Sequence, residues 1–256
     1  MAATGASDTS IDKTTIRDAA TVIVVRDSKS DDPKVLMGQR GAKAAFMPNK
    51  FVFPGGAMDL GDREIALAGD IGAPCRNRLQ EDGGAEVWRA LCVAAARELW
   101  EETGLILGEP GHWPAAVPKD WQSFAATGHV PDASALTFVF RALTPPGRPR
   151  RFDARFFLLK AEDLRGDLDD FSRASDELSH LQWIPLSQVR SFDLPFITEV
   201  VLAEVTANLR HESPRRARPF FAMMMKRASF CACMAARCRR RIELIRSGSG
   251  ALRAPE

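Results

Sequence analysis

The stretch 97–105 reads RELWEETGL and sets Glu98, Glu101 and Glu102 three and four positions apart. On a helix those offsets project side chains the same way, and uncompensated carboxylates at that spacing repel one another. A hard cation would relieve the repulsion. Mg2+ favours carboxylate and phosphate oxygens together, so the cluster points to phosphate chemistry rather than to a structural metal. The spacing by itself also suits a solvated acidic face with Arg97 as local compensation.

The elements that must carry these groups can be read from periodicity. Residues 85–103 show a helical pattern with Trp88, Leu91, Cys92, Ala95 and Leu99 on an apolar face, and Gly104 follows as a terminator. Upstream, FVFPGG at 51–56 reads as a strand running into a turn, where Gly55 and Gly56 permit a backbone path close to a ligand. Residues 19–25 and 34–38, separated by a turn-rich 27–32, predict a hairpin. Residues 60–84 lack sustained periodicity and read as an excursion, and 110–132 reads as a long connection. Further strands are expected at 136–141, 155–159 and 181–184, and a last helix at 195–209. Strands and helices in this order predict an α/β fold, with a mixed sheet covered by helices.

Arg97, Glu98, Glu101, Glu102, Gly104 and Leu105 stand in the order and spacing of the second half of the Nudix-family motif, which the chain closely resembles. Gly56 and Asp62 resemble its opening glycine and acidic position, where the family usually carries Glu. About 27 extra residues separate the two halves, as in a subgroup with an insertion within the motif that includes peroxisomal coenzyme A diphosphatases. The resemblance implies a Nudix-type α/β/α sandwich over 19–212, with the insertion at about 63–84. It implies hydrolysis of the pyrophosphate bond in a nucleoside diphosphate linked to another moiety. Carried onto this chain, Glu98, Glu101 and Glu102 bind Mg2+ or Mn2+, Arg97 orients the acidic cluster, Gly55 and Gly56 shape the approach, and Asp62 acts behind the ligands. Asp176, Glu177 and His180 precede the 181–184 strand, and Glu177 is the favoured additional general base, provided it reaches the reacting water. The compact coenzyme A signature would require Arg and Gly where the chain has Ala45 and Asn49, so coenzyme A diphosphatase is one alternative among several pyrophosphate substrates.

Composition bounds the rest. The chain has 256 residues, 45% of them apolar, which excludes wholesale disorder and allows one principal domain. No stretch reads as a membrane span or a secretory leader, so a cytoplasmic protein without a membrane partner is expected. The net charge of +2 hides a division: residues 213–256 hold 11 Lys or Arg and 2 acidic residues, whereas the remainder holds 24 basic and 31 acidic. A flexible leader over 1–18 and a basic, Cys- and Met-rich tail over 213–256 are expected to flank the domain. The tail could contact nucleic acid, anionic lipid or the acidic body, and an inactive Nudix-like scaffold with a nucleic-acid-binding tail is the nonenzymatic alternative. A homodimer is also compatible with the sequence. His112, His129, His180 and His211 form no short-range metal motif, and Cys231, Cys233 and Cys238 lack a fourth ligand at a persuasive spacing. Cys75 and Cys92 read as packing thiols.

Overall fold

Alternation along IRDAATVIVVR sends Ala20, Val22 and Val24 to one side and Ile23 and Val25 to the other, and all five are buried. A strand covered on both faces requires that pattern. In the computed structural model, which describes residues 15–44, 46–83, 87–113, 116–148 and 150–209, this strand is β1 (Ile16–Arg26), at the centre of a seven-stranded sheet. β8 (Arg151–Lys160) runs parallel to β1, and β7 (Thr137–Leu143) pairs antiparallel with β8. The other edge of β1 is shared. Val25 and Arg26 pair with β2 (Lys34–Arg40), whereas Ala19, Ala20 and Thr21 pair with β4 (Gly55–Ala57). At the changeover the Val22 N–H donates to the Pro54 carbonyl at 2.8 Å. β2 carries β3 (Phe51–Val52) and β9 (Leu178–Pro185) as further antiparallel partners.

Helices cover both faces. One core packs α1 (Ala73–Gly83), α2 (Val87–Thr103) and α3 (Gln122–Ala125) against Ala20, Val22, Val24 and Phe157. The opposite core packs α4 (Phe196–Leu209), through Val201, Leu202 and Val205, against Ile23, Val25 and Phe156. The expected mixed sheet between helices is present, in the α/β/α arrangement of a Nudix sandwich. Among the described residues, no helix is long and apolar enough to cross a membrane.

Several elements differ from the sequence reading. Residues 60–84 contain a 3-10 turn at Leu60–Arg63 and the helix α1. The sequence of α1, APCRNRLQEDG, lacks an apolar stripe. It is held by contacts with distant elements: Leu79 is buried, Cys75 packs on the core, and Arg78 lies over the Phe138 ring while donating to the Phe138 carbonyl at 2.9 Å. The connection 110–132 contains α3 and β6 (His129–Pro131), which pairs with β5 (Gly108–Pro110) as a separate ribbon. Its structure rests on an aromatic cluster of Trp100, Trp113, Trp121 and Phe124 that local periodicity does not reveal. α2 is buried nearly all round rather than along one stripe, because α1 and the 60–63 turn cover the face turned away from the sheet. β1 begins at Ile16, within the segment expected to be a leader. Residues 1–14 of that leader, Ala45, the 84–86 stretch and the whole tail over 213–256, with its proposed nucleic-acid contact and its cysteines, lie outside the described residues.

Candidate active site

α2 ends where its axis meets the glycine turn, and this junction gathers the acidic residues. The Gly104 N–H donates to the Trp100 carbonyl at 2.8 Å with φ at +74°, a left-handed close that suits glycine. The last turn of the helix is thereby fixed, and Glu98, Glu101 and Glu102 project from a rigid element.

Arg97 organises the cluster and is 6% exposed. Its Nε and Nη2 donate to the two oxygens of Asp62 at 2.9 and 3.0 Å. Nη1 donates to Glu98 Oε1 at 2.9 Å and Glu101 Oε2 at 3.1 Å, and Nη2 also donates to the Ala57 carbonyl at 3.0 Å. All five guanidinium N–H donors are therefore engaged. Burial opposes the charge, yet the hydrogen bonds that Arg97 donates to Asp62 and the charges of the neighbouring carboxylates raise its pKa and keep it cationic. Asp62 is fixed in turn by the Asp59 N–H at 2.8 Å. Asp62 thus locks the arginine that aims two of the three glutamates.

Glu102 is held differently. Its Oε2 accepts the Gly55 N–H at 2.7 Å, while its Oε1 is buried without a hydrogen-bond partner and has only Arg40 Nη2 nearby, at 3.8 Å. Burial, with the nearby Glu98 charge, pushes Glu102 up to about 8. Burial likewise pushes Glu98 up to about 7 and raises Glu101, both opposed by Arg97. The glycines make this approach feasible. A Cβ on Gly56 would sit 2.4 Å from Glu98 Oε1, and Gly55, at φ +150°, would press a Cβ to 2.4 Å from the Ala20 carbonyl oxygen.

The carboxylates open onto a cavity of about 460 Å³, lined also by Arg17, Arg40, Gly55, Gly56 and Glu177. Glu177 is exposed at the cavity wall, and its charge acts on both Glu98 and Glu102. The Ser175 N–H donates to the Glu101 carbonyl at 2.8 Å and ties the 171–177 loop to α2. His180 is exposed and takes φ +53°. Of the sequence-derived residues, Gly55, Gly56, Arg97, Glu98, Glu101 and Glu177 line the cavity, whereas Asp62 and Glu102 stand directly behind it.

Sequence reasoning missed Arg17, Arg40, Asp59, Phe46 and Phe152, all at this cavity. Arg40, at the end of the strand preceding FPGG, gives a weak sequence signal. The others come together only through the sheet.

Among the described residues, no group of three or more His, Cys, Asp or Glu is gathered closely enough to hold an ion by itself. The donor chemistry nevertheless fits a hard cation. Four carboxylates, Asp62, Glu98, Glu101 and Glu102, share among the described residues only the cations Arg97 and Arg40, and Glu102 Oε1 accepts no hydrogen bond, while Mg2+ is usually held by one or two carboxylates plus waters and substrate phosphates rather than by an all-protein cage.

The chain is similar to a crystal structure of a Nudix hydrolase from Alicyclobacillus acidocaldarius at 30% identity, covering 77% of this chain and 97% of that one with a TM-score of 0.58. A Caenorhabditis elegans protein provisionally named nudix hydrolase 7 is 28% identical over 162 residues, 59% of this chain. The chain spans about half of that relative's length, 46%. A MutT protein from Methanosarcina mazei Go1 is 15% identical, covering 79% of this chain and 100% of that one with a TM-score of 0.44. No family model matches the chain. The 30% relative is covered almost end to end and shares the sandwich described above; on that similarity, the chain belongs to the Nudix hydrolase superfamily.

Proposed function

We propose that this protein is a divalent-metal-dependent hydrolase that cleaves the pyrophosphate bond of a nucleoside diphosphate linked to a second moiety. The observation that carries the reading is the buried Glu102 Oε1, which accepts no hydrogen bond and has Arg40 only at 3.8 Å, behind a nucleotide-sized cavity that Glu98 and Glu101 also face. Glu98, Glu101 and Glu102 would hold Mg2+ or Mn2+. When bound, the cation neutralises phosphate charge and acidifies the attacking water.

The chain's own residues supply the rest. Arg97 fixes one oxygen each of Glu98 and Glu101 and leaves their other oxygens for the site. The Gly55 N–H fixes one oxygen of Glu102 in the same way. Arg40, partly exposed beside Glu102, places a cation where phosphate oxygens would enter. Glu177, exposed to solvent at the wall, accepts the proton of the attacking water. Preorganisation by hydrogen bonds made before substrate arrives lowers the reorganisation required during the reaction.

The test offers purified protein ADP-ribose, NADH, diadenosine polyphosphates, nucleotide sugars and coenzyme A with Mg2+ or Mn2+, with products identified by mass. Cleavage between the two phosphorus atoms, lost in Glu98→Gln and Glu102→Gln proteins that remain folded, is the expected result. Nucleotide binding without turnover of any compound would favour an inactive scaffold. Selective turnover of coenzyme A would establish the narrower activity, despite Ala45 and Asn49 at its signature positions.

A further inference from the structure

Besides the charged groups, the cavity is lined by the apolar side chains of Phe46, Met47, Val52, Phe152, Phe156 and Ile197. Two of these form an aromatic pair: Phe46 and Phe152 lie edge to face, with ring centroids 5.3 Å apart and planes at 70°. They reach the cavity from separate elements. Phe152 belongs to β8, and its backbone is locked by a donation to Thr144 Oγ1 at 3.0 Å and by the Thr144 N–H to its carbonyl at 2.8 Å. Phe46 lies in the turn after β2, which is pinned to Arg40. The Asn49 N–H donates to the Arg40 carbonyl at 3.0 Å, and the Arg40 N–H donates to the Lys50 carbonyl at 2.9 Å. Within this turn Met47 and Asn49 adopt φ of +51° and +61°, a conformation unusual for a methionine and one that the surrounding hydrogen bonds must hold.

The rings line the same cavity as Glu98 and Glu101, so the group attached to a diphosphate held at Glu98 and Glu102 shares that cavity with them. Nucleobase identity is read through hydrogen bonds to base edges, typically by amide, carboxylate or guanidinium groups. Among the described lining residues there is no Asn or Gln; of the two threonines, Thr21 sits beside Gly55 and Thr198 is buried. Arg17 pairs with Asp59 at 3.5 Å and Arg40 with Glu102 at 3.8 Å. Arg150, exposed at the rim, is the remaining guanidinium apart from Arg97. Aromatic faces, by contrast, accept any base, because every base has a π-face.

We infer that Phe46 and Phe152 hold the nucleobase of the substrate by ring contact without reading its edge, so that adenine and guanine nucleotides are accepted alike. This rests on the hydrolase reading above. The test is calorimetric binding of ADP, GDP and inorganic pyrophosphate in Mg2+ to the full chain and to Phe46→Leu and Phe152→Leu proteins. Leucine keeps apolar bulk and removes the π-face. ADP and GDP should bind within about threefold of each other, and each leucine variant should weaken both by about tenfold relative to pyrophosphate, the scale of one lost stacking contact. Four results would overturn the inference: no ADP or GDP binding, a base preference beyond about tenfold, such as a guanine preference abolished by Arg150→Ala, leucine variants as tight as the parent, or pyrophosphate weakened as much as the nucleotides. Failure of the hydrolase reading looks different. Ring-dependent binding of ADP and GDP would persist, and no diphosphate compound would turn over.

Discussion

Burial holds protons on Glu98 and Glu102, at about 7 and about 8, in the metal-free protein. Both lie well above the ordinary range of a glutamate carboxyl, so the folded state binds these protons more tightly than the unfolded chain. The stability the two groups contribute is complete below the unfolded value and is lost as pH rises through 7 to 8. Thermal unfolding without metal should therefore show Tm falling between pH 5 and pH 8, and Mg2+ should raise Tm more at pH 8 than at pH 5. A metal-free Tm that is flat over this range, or an equal Mg2+ effect at both ends, would contradict the assignment. Glu98→Gln should flatten the pH dependence and lower turnover by roughly 10²-fold or more, as loss of a charged ligand would. The acidic trio was legible in the sequence because three- and four-residue offsets are local and a helix converts them directly into proximity. Arg40, Phe46 and Phe152 were not, because they meet only after β2, the following turn and β8 take their places in the sheet.

At the scale of elements, the 3-10 turn at Leu60–Arg63 is tied to α2 by the Arg97–Asp62 pair, which is buried on both sides. Removing Asp62 strands two buried guanidinium N–H donors while Glu98 and Glu101 still balance the charge, so Asp62→Ala should lower stability by about 1–3 kcal/mol and disorganise the cluster, measured by denaturant unfolding and turnover together. The two glycines of β4 should respond differently. Gly55→Ala drives a Cβ into the β1 backbone at an unfavourable φ and should cost about 1–3 kcal/mol of stability. Gly56→Ala meets the end of the Glu98 side chain, which can swing aside; the fold should survive while turnover drops by about 10²-fold. Equal stability losses in both variants would refute this division. The glycine turn and the end of α2 could be read in advance from FPGG and Gly104. α1 could not, because its helix depends on Leu79 and Arg78 finding partners on α2 and β7 rather than on its own pattern.

Across the whole molecule, the sheet separates two apolar cores, and the forked edge of β1 brings the glycine strand beside the acidic helix. The mixed sheet and its helical layers followed from the order of periodic segments, while the burial of α2 on all sides followed from tertiary cover that no single segment encodes. The proposed activity requires a cation shared by Glu98 and Glu102 and by a substrate diphosphate. The most direct measurement is an anomalous difference map at the manganese absorption edge, from crystals holding Mn2+ and a non-hydrolysable nucleoside diphosphate analogue. A peak between the two carboxylates, in contact with phosphate oxygens, is expected; density for the analogue elsewhere, with no manganese at these glutamates, would rule the shared cation out.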